Sequence, residues 1–302
     1  MDMFLKMLSL LVFILIGYLA KRLGIVREQA ISTLSIIILD FTLPCTIIRN
    51  FNGVFPDPHV FTLLLLGFLL NFLCLGIGWL TGGRDRDSRG FSMINISGYN
   101  IGMFAMAFIQ SFFPPSIFIL VCLCDVGNAI MTMGGNYAAR ACHAPGMNAK
   151  KMAGIVLRCI GFHCYIILLI LSLLHITLPD WFITAISPAA MVNPFLCMFM
   201  VGLGLRFTMS KSSLRIVSRT LLVRYLSHAI LCCAVLFLPL DRKMIAALIL
   251  FLLSPVSGLC PIYTMRLVPH MLEDSAINIC VSILISIGFF IALIPALLHY
   301  AL

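Results

Sequence analysis

Residues 125–136 read DVGNAIMTMGGN and residues 275–286 read SAINICVSILIS, and the relation between the two runs decides the fold. The polar side chains of the first run are Asp125, Asn128, Thr132 and Asn136; those of the second are Ser275, Asn278, Ser282 and Ser286. Both sets are spaced three, four and four residues apart, so on a helix turning about 100° per residue each forms one narrow polar stripe. Each member of the second set stands 150 positions after its counterpart, and Pro194 stands 150 positions after Pro44. A shared offset in two helix pairs marks an internal repeat.

The surroundings of both runs are apolar. The chain has 302 residues, of which 62% are hydrophobic and 10% charged, and its mean hydropathy is +1.11. A water-soluble domain cannot hide that much apolar surface, so lipid is the expected solvent. A crossing needs about 20 apolar residues. Ten such stretches are present, at 3–20, 31–48, 60–79, 91–113, 116–139, 152–174, 181–205, 214–238, 243–267 and 275–298. Nothing is left for a soluble catalytic or nucleotide-binding domain. The expected fold is all-α, a polytopic membrane bundle of ten transmembrane helices. Residues 1–142 would form a first five-helix repeat, 143–151 a cytoplasmic linker and 152–302 a second repeat. Five is an odd number, so the second repeat must insert inverted, which is the plan of many secondary transporters.

Charge placement gives the orientation. Fourteen Lys and Arg residues fall in or beside the odd-to-even connections and four, Lys6, Arg49, Arg242 and Lys243, on the other side. The positive-inside rule then puts both termini outside, in the periplasm of a cell inner membrane. Arg158 and Arg224 lie within spans and are expected to snorkel towards the cytoplasmic surface. The net charge of +9 is scattered over short loops and forms no basic face for nucleic acid. Lys21 and Arg22 follow the first apolar run, which suits a retained helix better than a cleaved signal. The twelve cysteines contain no C-x-x-C pair and read as small buried hydrophobes, with no metal site expected.

Polar groups at bilayer depth usually face a cavity or a partner helix. Asp125, with Asn128 one turn on, is either a carboxylate that binds a proton or cation in a substrate cavity or a structural hydrogen-bonding group between helices. Asp40 stands four residues before Pro44, where it either lines a cavity beside a kink or sits hydrated near the interface. Asn193 and Pro194 pair an amide with a helix break at the matching place in the seventh span. The fourth span is interrupted by NISGYNIG at 95–102 and the ninth by SPVSGLCP at 254–261. Irregular backbone is tolerated at membrane depth only inside protein or around a water-filled cavity. A half-helix that starts there points its N–H groups and positive dipole end into the cavity, making an anion site without a buried Arg. His163 and His228 read as structural.

The motifs now read together: GYLAKRLG at 17–24, Leu43-Pro44, Asn100-x-Gly102, Asp125-x-x-Asn128, Gly202-x-Gly204-Leu205 and Pro255. In this order and spacing the chain resembles bacterial members of the auxin efflux carrier family, which includes malonate and malate permeases. The resemblance implies two inverted five-helix repeats, broken fourth and ninth helices crossing at mid-membrane, and carboxylate substrates moved by secondary coupling. One departure stands out: the family's fourth span usually continues from Asn-x-Gly to a further Gly and Pro, and here Ala105 and Ala107 take those places.

The combined expectation is a secondary transporter of a small organic anion, a mono- or dicarboxylate such as malonate or malate, working by alternating access. Its energy would come from a proton or sodium gradient or from the membrane potential. Asn100, Gly102, Asn193, Pro255, Ser257 and Asn278 are the expected substrate-binding residues, and Asp125, Asn128 and Asp40 the ion-coupling residues. No cofactor beyond a coupling H⁺ or Na⁺ is expected. Neither H-E-x-x-H nor G-x-S-x-G occurs, and no ATP-binding motif is present, so an enzyme or a primary pump is disfavoured. The expected partners are the substrate anion and the lipid bilayer, with a homodimer left open. The rival reading is a carboxylate sensor of the same fold that binds without transporting.

Overall fold

In lipid the backbone must satisfy its own hydrogen bonds, and for a chain this apolar the helix is the local solution. The computed structural model describes residues 2–27, 29–53, 61–141, 160–205 and 210–301. Among them, helix appears in each of the ten stretches marked by the sequence, although several passages are composite. The first is α1 (Asp2–Arg22). The second is α2 (Ala30–Ile37), a π-helical turn (Ile38–Thr42) and α3 (Leu43–Phe51). The third is α4 (Thr62–Thr81). The fourth is α5 (Arg86–Ile96), then a π-helical turn (Ile101–Ala105) and α6 (Met106–Phe112). The fifth is α7 (Pro115–Ala141).

The second half follows with α8 (Ile160–Leu173), α9 (Asp180–Gly204) and α10 (Lys211–Val235). The ninth passage is α11 (Arg242–Leu252) and α12 (Cys260–Leu267). A 3-10 turn (Pro269–Met271) leads into α13 (Leu272–Ala301). The expected linker at 143–151, the start of the sixth span and Arg158 lie outside the described residues. Five described helical passages are long and apolar enough to cross a membrane: Ala30–Asn50, Thr62–Thr81, Asp180–Gly204, Ser212–Val235 and Pro269–Ala301. Leu65, Phe72, Leu80, Leu222, Leu226 and Ile230 are exposed on their flanks, as lipid-facing side chains would be.

Close helix pairs are made by small residues. A Cβ at Gly17 on α1 would collide with the Phe199 carbonyl of α9, and one at Gly202 on α9 with the Ile14 carbonyl of α1. The same reciprocal pattern joins α4 and α7, where Gly67 faces the Cys124 carbonyl and Gly127 the Leu64 carbonyl. Glycine lets the backbones approach until dispersion contacts replace the hydrophobic drive that lipid does not supply.

The two prolines behave differently from expectation. Pro44 does not sharply break the second passage. The π-helical turn before it sends the Leu43 N–H back to the Ile38 carbonyl, and Pro44 then falls in the first turn of α3, where a missing donor costs nothing. Pro194 does not break the seventh passage either, since α9 runs on through Pro188 and Pro194. The carbonyl that Pro194 leaves without a helical donor, that of Ala190, accepts from Gln110 Nε2 at 3.0 Å and from Thr46 Oγ1 at 3.3 Å. Donors from α6 and α3 thus replace the lost helical bond.

Candidate functional site

The fourth and ninth passages meet at their interruptions. α5 stops at Ile96, and Gly98 turns the chain with φ +77, a left-handed conformation that suits a residue without a Cβ. Tyr99 then pairs antiparallel with Val256, and the Asn100 N–H donates to the Pro255 carbonyl at 2.9 Å. Two short extended segments therefore cross where two helices have been broken.

Side chains replace the missing helical bonds. Asn128 on α7 takes the Tyr99 N–H at 3.1 Å and donates to the Tyr99 carbonyl at 3.0 Å. Asn71 on α4 donates to Asn128 Oδ1 at 2.9 Å and takes the Gly98 N–H at 2.7 Å. Thr132 adds a third donor to Asn128 Oδ1 at 3.0 Å. In the second half Ser282 on α13 takes the Val256 N–H at 3.0 Å. The clamp on the first break is Asn128 and that on the second is Ser282, so the structural correspondence lies one helical turn beyond the 150-residue offset of the stripes. Ser286 and the Ser282 carbonyl both pair with the Tyr225 hydroxyl.

Arg224 is the largest correction. It does not reach for the cytoplasmic surface; it is fully buried at the crossover. Nη1 donates to the Ile96 carbonyl at 2.5 Å and Nη2 to the Ser254 carbonyl at 3.2 Å, so one guanidinium serves the C-terminal ends of both α5 and α11. Its Nε has no hydrogen-bond partner among the described residues, and its charge lies 4.8 Å from the Tyr99 ring centre. The negative ends of two helix dipoles compensate the buried cation. Sequence alone placed an Arg inside a span, but α10's position against both breaks is a tertiary fact. Nearby, the Tyr99 hydroxyl pairs with His228 Nε2 at 3.2 Å and with Cys74 Sγ at 3.4 Å.

The other face of the crossover holds a cavity of about 210 Å³, several times the ~30 Å³ share of a single water. Its lining includes Ser35, Asn100, Met103, Met200, Gly258 and Cys280. Both broken helices restart here. The segment Ile101–Phe112 begins beside Asn100, and α12 begins beside Gly258 and Pro261. First-turn N–H groups have no intrahelical acceptor. At α12 those of Leu259 and Cys260 are taken by Ser257 and Pro261 has none, so the free donors of this wall come from the start of Ile101–Phe112, while both helix starts add their positive dipole ends. Asn100 is 7% exposed, and among the described residues its side chain makes no hydrogen bond.

The remaining expected residues fall as follows. Pro255 supplies the carbonyl bonded to Asn100 N–H, and Ser257 Oγ accepts the Leu259 N–H at 3.3 Å before α12. Gly102 lies against the Leu43 side chain, where it admits the second passage and does not line the cavity. Asn193 on α9 is fully buried against the π-helical turn of the second passage, accepting from Thr42 Oγ1 at 2.8 Å, and its Nδ2 has no partner among the described residues. Asn278 is also fully buried. It donates to Asn95 Oδ1 at 3.4 Å, beside Ser275 which does so at 2.8 Å, and its own Oδ1 has no partner among the described residues. Asp125 is half-buried and accepts from Asn128 Nδ2 at 2.9 Å. Asp40 is half-buried in the π-helical turn of another passage, and neither carboxylate lines the cavity. The side chain of Asn136 lies outside the described residues. The residues that sequence reasoning missed are Asn71 and Arg224. Each carried one signal, a strongly polar side chain inside an apolar span, without a repeat partner to single it out.

The family described as membrane transport protein matches residues 2–147. That stretch holds α1 to α7, the first interruption, Asn100, Asp125 and Asn128. No curated protein matches the chain.

Proposed function

We propose that this chain, whose residues 2–147 match the membrane transport protein family, carries a small organic anion across the membrane as a secondary transporter. The observation that carries this reading is the cavity at the crossover, where two half-helices begin and the buried amide of Asn100 has no hydrogen-bond partner among the described residues. An anionic oxygen fits this place: Asn100 Nδ2 and the N–H groups that open the Ile101–Phe112 segment would donate to it. The substrate class is a mono- or dicarboxylate such as malonate or malate, as the family resemblance implies.

The same reading assigns the coupling ion, a proton or Na⁺, to Asp125 with Asn128. Because Asn128 also grips the Tyr99 backbone, occupancy of Asp125 would be felt at the crossover. Two inverted five-helix repeats in a cell inner membrane, with both termini outside, complete the proposal. Its support is that the two interruptions pair with each other, Tyr99 with Val256, and that Thr42, two residues before Pro44, bonds to Asn193, the residue before Pro194. Alternating access would then be relative motion of the α1, α3 and α9 group against the crossover. Asp40 and a homodimer remain part of the proposal as secondary elements.

The test is uptake into proteoliposomes from a panel of labelled mono- and dicarboxylates, with imposed pH, Na⁺ and potential gradients. Gradient-dependent accumulation of one panel member is expected; binding in detergent without flux would instead favour the sensor reading. One observation favours that rival. Ala105 and Ala107 are fully buried in a continuous helical segment, so the second half of the fourth passage lacks the extra break that Gly and Pro would give.

A further inference from the structure

We infer that Arg224 sets the anion preference of the crossover cavity without touching the substrate, as a positioning charge. The inference rests on the carrier reading above and adds to it the origin of the charge selectivity.

Four helix ends converge at the crossover. α5 and α11 end there, and the segment Ile101–Phe112 and α12 begin there. Each end carries about half an elementary charge, negative at a C-terminus and positive at an N-terminus. The four ends alone therefore nearly cancel. A cavity lined by two N-termini would feel two C-termini close behind them, and an anion would gain little net attraction. Arg224 changes that sum. Its hydrogen bonds go to the carbonyls of Ile96 and Ser254, at the two negative ends. One full positive charge against about two halves leaves the N-terminal pair unopposed.

Its burial makes this effective. Arg224 is 0% exposed, so solvent does not screen it. It is also fixed: two carbonyls and the Tyr99 ring hold the guanidinium, and Tyr99 is held in turn by Asn128 and by pairing with Val256. The Tyr99–Asn100 peptide separates the two faces, with Arg224 over Tyr99 and Asn100 lining the cavity. Asp125 is linked to Tyr99 through Asn128, which donates to it and takes the Tyr99 N–H. In the carrier reading the coupling ion neutralises Asp125, and the charge of Arg224 is then not offset by that carboxylate. The assembly of two N-termini, Asn100 and Arg224 favours one bound negative charge over a neutral molecule of the same shape.

The experiment compares wild type, Arg224→Lys and Arg224→Gln, purified in lipid nanodiscs. Binding of malonate, malate and acetate is measured calorimetrically against the uncharged malonamide, with folding followed by helicity and thermal melting. Wild type should bind at least one carboxylate and not the diamide. Folded Arg224→Gln should lose about tenfold or more in carboxylate affinity, with the gap to the diamide closing, as removal of a buried full charge implies. Arg224→Lys keeps the charge and should keep the preference even if its melting temperature falls. Wild-type carboxylate preference in folded Arg224→Gln overturns the inference and leaves the carrier reading standing. If Arg224→Gln does not fold, loss of the preference in folded Arg224→Lys overturns it equally. Failure of wild type to bind any carboxylate overturns the carrier reading and this inference with it.

Discussion

Asn128 holds both backbone groups of Tyr99, taking its N–H at 3.1 Å and giving to its carbonyl at 3.0 Å. A side-chain amide thus stands in for a neighbouring peptide at the point where the fourth passage has left its helix. This explains how an extended segment survives in a buried, apolar bundle: its polar groups are met from α7, α4 and the opposite break.

Asn128→Ala should therefore cost about 1–3 kcal/mol or more, because it strands two buried backbone groups. Asn128→Asp keeps the acceptor for Tyr99 N–H but loses the donor to its carbonyl and sets a second carboxylate against Asp125, so it should cost at least as much. Thermal or denaturant unfolding of the purified variants measures this; an unchanged transition for Asn128→Ala would remove the clamp from the account.

The close α1–α9 contact gives a sharper steric contrast. A Cβ at Gly17 or Gly202 would sit inside the other helix's backbone, whereas one at Gly76 meets nothing within 4 Å. Gly202→Ala should destabilise by about 1–3 kcal/mol through forced separation of the helices. Gly76→Ala should be neutral or stabilising by about 0.5–1 kcal/mol, since helical Gly is entropically costly. Equal melting temperatures for the two variants would contradict the packing described.

Gln110 and Pro194 should prove coupled. In wild type Gln110 Nε2 serves the Ala190 carbonyl that Pro194 cannot bond. Pro194→Ala restores a helical donor to that carbonyl, so Gln110→Leu should cost less in the Pro194→Ala background than in wild type. A double-mutant cycle of unfolding free energies should return an interaction of about 0.5–3 kcal/mol, the range for residues sharing a partner. Strict additivity would show that Gln110 is not the substitute donor.

Asp125→Asn tests the coupling role. The variant keeps an acceptor for Asn128 Nδ2, so it should fold, while losing a group that can take up a proton or Na⁺. Uptake in proteoliposomes should lose its dependence on the imposed gradient. Retention of wild-type gradient dependence would assign the coupling elsewhere.

The amino-acid sequence by itself determined the solvent, the helical class and the approximate places of the passages, because apolar run length and 3.6-residue periodicity are local properties. It also marked both broken helices, since Gly98 and Pro255 act on their own backbone, and it singled out Asn100, Asp125 and Asn128 as polar groups too costly to bury idly. The roles of those groups were decided by tertiary structure. Asn278 had the same spacing as Asn128, yet it meets Asn95 while Ser282 clamps the second break, because rotation and translation of one helix against another are set by packing and not by sequence interval. Pro194 was expected to break a helix and did not, because donors from two other helices reached its orphaned carbonyl. Arg224 was read as a snorkelling surface residue. Only the convergence of two helix C-termini, distant in sequence, supplies enough negative potential to hold its charge inside the protein.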